Sequence, residues 1–291
     1  MSNQKISFAT LALGKEYRLL SLLLAYDISV FHSECKLYVL TDKPSLYSNL
    51  KNVIPIQHSF GGVRRCYHDK RFAICAALEN HETCIFLDAD SRLTCSINEE
   101  GIYKYKSFMT VVMMENLELK LKKKRNKRNV YFALNTGKRL TRLFRFLSTE
   151  IGINFKAINH VSEGCIIFQK KYADHKKFIE YWNYVATFLS LKLHEPGEGS
   201  TIGLCALGVN TKIEELGFIP DWLFNDEYTQ FKEKDGEQNK IEQEMVILRK
   251  KIGVECQESK FTIYSFPLYI FRYIKNLVQF YYARKKLFYS L

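Results

Sequence analysis

The stretch Thr83 to Thr94, TCIFLDADSRLT, constrains this chain more than any other. Cys84 to Leu87 form a continuous apolar run, which fits a strand buried on both faces of a sheet. The run stops at Asp88-Ala89-Asp90. Strand side chains alternate, so carboxylates at i and i+2 share a face if the strand continues. Two carboxylates a few ångströms apart repel unless a cation lies between them. A hard divalent ion, Mn²⁺ or Mg²⁺, suits oxygen ligands and leaves positions open for substrate phosphates. Open α/β sheets bind ligands beyond the carboxyl ends of their strands. The pattern therefore predicts a metal and diphosphate site. The plainer alternative is a surface Asp pair that closes a strand.

The residues before this stretch alternate strand and helix. Lys5–Leu13 reads as a first strand, ended by Gly14, and Tyr17–Tyr26 as a strongly apolar helix. Lys36–Leu40 is a second strand, with Pro44 barring its continuation. Asn52–Ile56 is a third, which Pro55 confines to an edge or an end. His68–Leu78 is a helix whose start carries His68, Lys70 and Arg71, and the Thr83–Leu87 strand follows. This order predicts an α/β sheet with right-handed crossovers. No G-x-G-x-x-G follows the first strand, which argues against a dinucleotide site of the Rossmann type.

Composition narrows the class. A chain of 291 residues with 47% hydrophobic residues is long and apolar enough for one large domain, with or without an appendage. The net charge of +12 points to an anionic partner: phosphates, an anionic membrane or nucleic acid. Nucleic acid is disfavoured, because no zinc pattern or RNA-binding motif accompanies the charge. The first residues lack the pattern of a secretory leader, and no apolar stretch reaches transmembrane length. No C-x-x-C occurs among the eight cysteines, and Cys75, Cys84, Cys165 and Cys205 sit in apolar runs. They read as core thiols of a reducing cytosol.

A strand ending in Thr41-Asp42, the basic helix YHDKRFAICAAL and then FLDAD are together similar to the GT-A glycosyltransferases. The likeness is nearest to the retaining family that includes glycogenin and the bacterial lipopolysaccharide galactosyltransferases. Val161–Lys170, VSEGCIIFQK, resembles that family's acceptor-side strand. Glu195–Asn210 resembles the acidic helix start that follows it, and Ile219–Asn225, IPDWLFN, a stretch near the domain's end. The resemblance implies a GT-A-like fold, a mixed and mainly parallel sheet flanked by helices. It also implies sugar transfer of the hexosyltransferase type from a nucleotide-sugar donor, UDP-linked, to a carbohydrate or glycolipid acceptor. Asp88 and Asp90 would then hold Mn²⁺ or Mg²⁺ on the donor diphosphate. Two features depart from the family. No histidine follows His194, so the usual third metal ligand is absent or replaced, and Ser162-Glu163 stand where the family has Asn-Ser or Asn-Ala.

Other residues join the expected site on the same footing. Thr10, Leu11 and Tyr17 follow the first strand, where base and ribose would lie; Tyr17 either stacks on the base or is a core aromatic. Asp42 either accepts from base or ribose or simply forms its turn. Lys70 and Arg71 open a helix towards the diphosphate, which a helix N-terminus favours; one of the two is expected to be a surface charge. His68 reads as a surface histidine. Glu163, Glu195 and Glu198 are candidates to stabilise positive charge at the anomeric carbon. Glu198, in a Gly-rich turn before an apolar helix, also reads as an ordinary first-turn acid.

The basic segment Leu117–Arg145 is expected to be an acceptor loop or a solvated, mobile one. After Asn225 the composition shifts. Asp226–Lys251 reads as a charged helix and Phe261–Ser265 as a strand-like piece. Phe266–Leu291 has five Lys or Arg residues and no acid. Phe271, Ile274, Leu277, Val278 and Tyr281 recur on one helical side, with Arg272, Lys275, Asn276 and Gln279 on the other. This is the pattern of a helix lying in a membrane interface, its alternative a core helix with a basic end. The sequence thus predicts a catalytic domain over 1–225 and a helical extension over 226–291. The extension would hold the chain on the cytoplasmic face of an anionic membrane. The competing readings are a nucleotidyltransferase on the same sheet and a non-catalytic binding protein on a decayed transferase frame.

Overall fold

The structure is a computed structural model that describes residues 5–62, 66–126, 131–192, 198–224 and 265–288. The alternation read from the sequence appears as β1 (Ile6–Ala12), α1 (Lys15–Phe31), β2 (Lys36–Thr41), β3 (Val53–Gln57), α2 (Lys70–Asn80) and β4 (Thr83–Leu87). There follow β5 (Arg92–Leu93), α3 (Glu99–Tyr103), β6 (Met109–Val111), β7 (Met114–Asn116), α4 (Leu117–Asn126) and α5 (Tyr131–Ile151). The chain continues through β8 (Asn159–Val161), β9 (Cys165–Gln169), α6 (His175–Leu191), α7 (Gly199–Gly208), β10 (Ile213–Glu215) and β11 (Leu223–Phe224). The last described element is α8 (Ser265–Phe288).

The main sheet has seven strands in the order β10-β6-β9-β4-β1-β2-β3. Neighbouring pairs are parallel except where β9 meets β4 and β6. β3 is the edge strand that Pro55 requires, since an edge position can do without one backbone donor. β4 shows why its run is apolar throughout. Cys84 and Phe86 enter the core shared with α2 and α6, whereas Ile85 and Leu87 enter the core shared with α1. Burying one such phenylalanine contributes about 2–3 kcal/mol. Gly14 carries the turn from β1 into α1 at φ +84°, a conformation that side-chain-bearing residues rarely adopt.

Two regions differ from the sequence reading. The basic segment is largely the helices α4 and α5, not an acceptor loop. Leu140, Phe144 and Leu147 recur at helical spacing and are buried, with Arg139, Arg142 and Arg145 on the outer side. That apolar stripe, with its tertiary packing, outweighs the high charge. In the extension, Asp226–Lys251 and most of Phe261–Ser265 lie outside the described residues. α8 packs along α6, with Phe280 stacked on Tyr184 at 5.4 Å and Arg284 paired to Glu150 at 3.0 Å.

Candidate active site

The site is built by register. Antiparallel pairing sets Leu87 opposite Cys165, so the end of β4 lies beside the start of β9. The Asp88 amide then donates to the Gly164 carbonyl at 3.0 Å, and the loop bearing Glu163 is held at the DAD turn. α7 closes on the same place from the other side. A Cβ at Gly199 or Gly203 would collide with the carbonyls of Val161 or Asn159, so only glycine allows the helix this close to β8. This approach seats Glu198 at the start of α7, and the Gly199 amide donates to Glu163 Oε1 at 2.6 Å.

These elements enclose a cleft of about 260 Å³. Leu11, Tyr17, Lys70, Asp88, Ala89, Asp90, Glu163 and Glu198 all line it, so most of the expected site residues come together. Leu13, Cys66 and Tyr67 line it as well. Thr10, Asp42 and Arg71 do not line it. Thr10 is buried within β1. Asp42 pairs with Arg18 at 2.6 Å and accepts the Gly14 amide at 3.3 Å, which fastens the β1–α1 turn to the end of β2. Arg71 is buried on the far side of α2, donating to the His68 carbonyl at 2.6 Å and to Asn183 Oδ1 of α6 at 3.0 Å. His68 is not on the surface. Its Nδ1 accepts the Trp182 indole N–H at 3.1 Å, and burial lowers its pKa to about 4. Glu195 lies outside the described residues.

The electrostatics centre on Lys70. Its ammonium reaches the Glu198 carboxylate, Asp88 Oδ1 at 3.3 Å and the Glu163 carbonyl at 3.5 Å, and lies 4.7 Å above the Phe86 ring. Burial opposes its charge, but Asp88, Glu198 and Glu163 outweigh burial and hold its pKa above that of an ordinary lysine. Glu163 and Glu198 are neighbours in the cleft, where two buried negative charges would repel. Burial, reinforced by the Glu198 charge, pushes Glu163 far up. Burial also acts upward on Glu198, but Lys70 overrides it and pulls Glu198 down. Of the pair, Glu198, in contact with Lys70, holds the negative charge more readily than Glu163. Asp88 is raised to about 6 by burial, with Glu198 and Asp90 adding to the rise against the pull of Lys70. Tyr17, with 44% of its surface exposed, is pushed up to about 12 by burial and then by Asp90.

Asp88 and Asp90 both line the cleft from the turn after β4, which ends at Leu87, and their carboxylates are oxygen donors of the kind a hard cation takes. Among the described residues no group of three or more His, Cys, Asp or Glu side chains forms a complete metal cage.

The sheet order and a cleft beyond β1 and β4 agree with the α/β, GT-A-like architecture that the FLDAD resemblance implies. No family model and no curated protein matches the chain. Solved structures similar to it include galactosyltransferase LgtC in complex with donor and acceptor sugar analogues, at 11% identity over 72% of each chain and a TM-score of 0.42. An active-site mutant of LgtC matches at 10% identity over 72% of each chain, with a TM-score of 0.40. The apo bifunctional glycosyltransferase WbbM matches at 10% identity over 73% of this chain, with a TM-score of 0.39; the match spans 38% of WbbM.

Proposed function

We propose that this chain is a glycosyltransferase that moves a sugar from a nucleotide-sugar donor, UDP-linked, to a carbohydrate or glycolipid acceptor. One observation carries the reading: Asp88, Asp90, Glu163, Glu198, Lys70 and Tyr17, drawn from distant parts of the sequence, line a single cleft at the carboxyl ends of β1 and β4. Leu11, Leu13 and Tyr17 offer an apolar and aromatic wall to a base and ribose. Asp88 and Asp90 would hold Mn²⁺ or Mg²⁺, which when bound neutralises charge on a diphosphate leaving group. In the transfer, the bond from the anomeric carbon to the diphosphate oxygen breaks, a bond to an acceptor hydroxyl oxygen forms, and the hydroxyl proton passes to the departing diphosphate. Positive charge develops at the anomeric carbon as the first bond weakens. The Glu198 carboxylate stabilises it, while Lys70 keeps Glu198 ionised and fixed in direction. Glu163, beside Glu198 in the cleft, orients it.

The test is donor hydrolysis and transfer with a panel of UDP-sugars, with and without Mn²⁺. Metal-dependent release of UDP supports the reading. Cleavage within the nucleotide instead would favour a nucleotidyltransferase, and binding without turnover a non-catalytic protein.

The reading extends to a membrane partner. On α8, Asn276 and Ala283 are buried, whereas Phe271, Ile274, Val278, Tyr281 and Tyr282 are each at least half exposed. Asn276, Phe280, Ala283 and Leu287 are turned to the protein, and the exposed apolar residues away from it. Exposed apolar patches of this kind mark association surfaces. The helix carries Arg272, Lys275, Arg284, Lys285 and Lys286 and no acid, which supports an anionic bilayer as the partner of this surface. Among the described residues no helix is long and apolar enough to cross a membrane. Peripheral attachment to the cytoplasmic leaflet is the form that suits this helix.

A further inference from the structure

The inward side of α8 contains a residue that packing alone does not call for. Asn276 is 2% exposed, in a position that an aliphatic side chain would fill without burying a polar group. Both of its Nδ2 hydrogens are engaged. One bonds the Arg272 carbonyl a turn back at 2.9 Å, and the other bonds the Gly61 carbonyl at 3.0 Å. The second bond spans 215 positions of the sequence and ends on the loop after β3. A second tie lies one turn away, where the Arg272 guanidinium sits 4.5 Å from the centre of the Phe60 ring.

Gly61 passes the contact onward. Its amide donates to Asp69 Oδ2 at 2.7 Å, and a Cβ at this position would lie 2.6 Å from Asp69 Oδ1, so the carboxylate is seated directly on the glycine. Asp69 is itself 2% exposed and is paired with His58 at 3.1 Å and Arg71 at 3.5 Å. It lies between two residues of the cleft wall, Tyr67 and Lys70. Lys70 in turn holds Asp88 and Glu198. The space at this junction is about 10 Å³, at most one water. The junction is therefore a joint between elements and not a ligand pocket.

We infer that Asn276 is a positioning residue of the cleft: through Gly61 and Asp69 it sets Tyr67 and Lys70, so the C-terminal helix forms part of the frame that holds the nucleotide sugar. The inference rests on the donor reading proposed above and gives α8 a second role, on the side opposite its exposed apolar face. The two faces are separable. Changes to the outer face leave the cleft intact, and a change to Asn276 leaves the outer face intact.

The experiment uses the full chain, with UDP as the probe in the presence of Mn²⁺. Asn276→Leu keeps the side chain's approximate shape and removes both donors. It is expected to weaken UDP binding by about tenfold, the worth of a buried hydrogen bond whose partner is left unpaired. Sedimentation with phosphatidylglycerol vesicles should stay as in the unsubstituted chain. Phe271→Ser with Ile274→Ser should do the reverse. Arg272→Ala serves as the second variant, with weaker UDP binding expected by about threefold. Hydrogen exchange at residues 66–71 is read in the same samples without UDP and should speed up in Asn276→Leu. Unchanged exchange there, or UDP affinity within about twofold of the unsubstituted chain, overturns the joint. If the unsubstituted chain itself does not bind UDP, the donor reading has failed, and the exchange measurement alone decides the joint.

Discussion

Glu163 Oε1 accepts the amide of Gly199 at 2.6 Å, which sets its carboxyl against Glu198, the residue just before that glycine. Of the two glutamates, it is Glu198 whose side chain meets the Lys70 ammonium. Two glutamates that look alike in the sequence thus differ in how readily each holds a charge. Glu198→Gln should lower donor turnover by about a hundredfold or more, with UDP affinity nearly unchanged, because its interaction strengthens only as charge develops. Glu163→Gln keeps a neutral hydrogen-bonding group and should lower turnover much less. Steady-state kinetics and UDP titration of both variants check this; equal, full turnover in both removes the pair from the mechanism.

The same pair makes stability depend on pH. Glu163 has a folded pKa raised above its unfolded value, so the folded state binds more protons than the unfolded state above about pH 4.5. Its contribution is fully present below that pH and is lost as pH rises towards the folded pKa. Glu163→Gln mimics the protonated form at every pH. The variant should match the unsubstituted chain near pH 5 and exceed it in melting temperature at pH 8 to 9. A constant difference across that range would show that Glu163 is not held protonated.

His68 acts in the opposite direction. Burial beside Trp182 depresses its pKa to about 4, so the unfolded chain takes up this proton first as the medium acidifies. Stability is complete above about pH 6.5 and is lost as pH falls towards 4, by up to about 3 kcal/mol from this group. Denaturant titrations of the unsubstituted chain and His68→Gln at pH 7 and pH 5 measure it. The substituted chain should lose less stability over that interval, and an equal loss would locate the acid sensitivity elsewhere.

Asp88 and Asp90 give a prediction about the metal. Asp88→Asn removes one carboxylate from the wall but leaves Lys70 its partner Glu198, so the fold should survive. Either Asp88→Asn or Asp90→Asn should remove the gain in UDP affinity that Mn²⁺ provides, an effect of about tenfold or more. Calorimetric titration with Mn²⁺ and with EDTA measures it. A variant that keeps the full Mn²⁺ gain is not a ligand position.

Much of this was legible in the chain. The unbroken apolar run Cys84–Leu87 fixed β4 between two cores, and its ending located the cleft. Lys70 and Arg71 show the limit. Adjacent residues on a helix point about 100° apart, so one faces the cleft and the other faces α6. The pattern offered both and could not say that each would be buried. Cys66 and Tyr67 carry no periodic signal, because they lie at a short 3₁₀ turn, Tyr67–Asp69. In α5 the charge of the segment drew attention from Leu140, Phe144 and Leu147. In α8 the spacing separated two faces, but only the neighbours Gly61, Tyr184 and Glu150 show which one turns inward.

The last prediction concerns the outer face of α8. Of its five cations, Arg284 pairs with Glu150 and Lys286 pairs with Glu180 at 2.5 Å. Arg272 lies against the Phe60 ring on the inward side, so long-range attraction to an anionic leaflet falls mainly to Lys275 and Lys285, on the order of 2 kcal/mol at low salt. That is a marginal anchor without the apolar part, which Phe271, Ile274, Val278 and Tyr281 supply. Binding should therefore need both terms. The full chain is expected to sediment with phosphatidylglycerol vesicles at low salt, less at high salt, and weakly with pure phosphatidylcholine. Phe271→Ser with Ile274→Ser should abolish sedimentation at either salt, and Lys275→Gln with Lys285→Gln should abolish only the salt-sensitive part. Sedimentation that ignores both pairs of substitutions would assign the membrane contact to another surface and leave the apolar side of α8 for a protein partner.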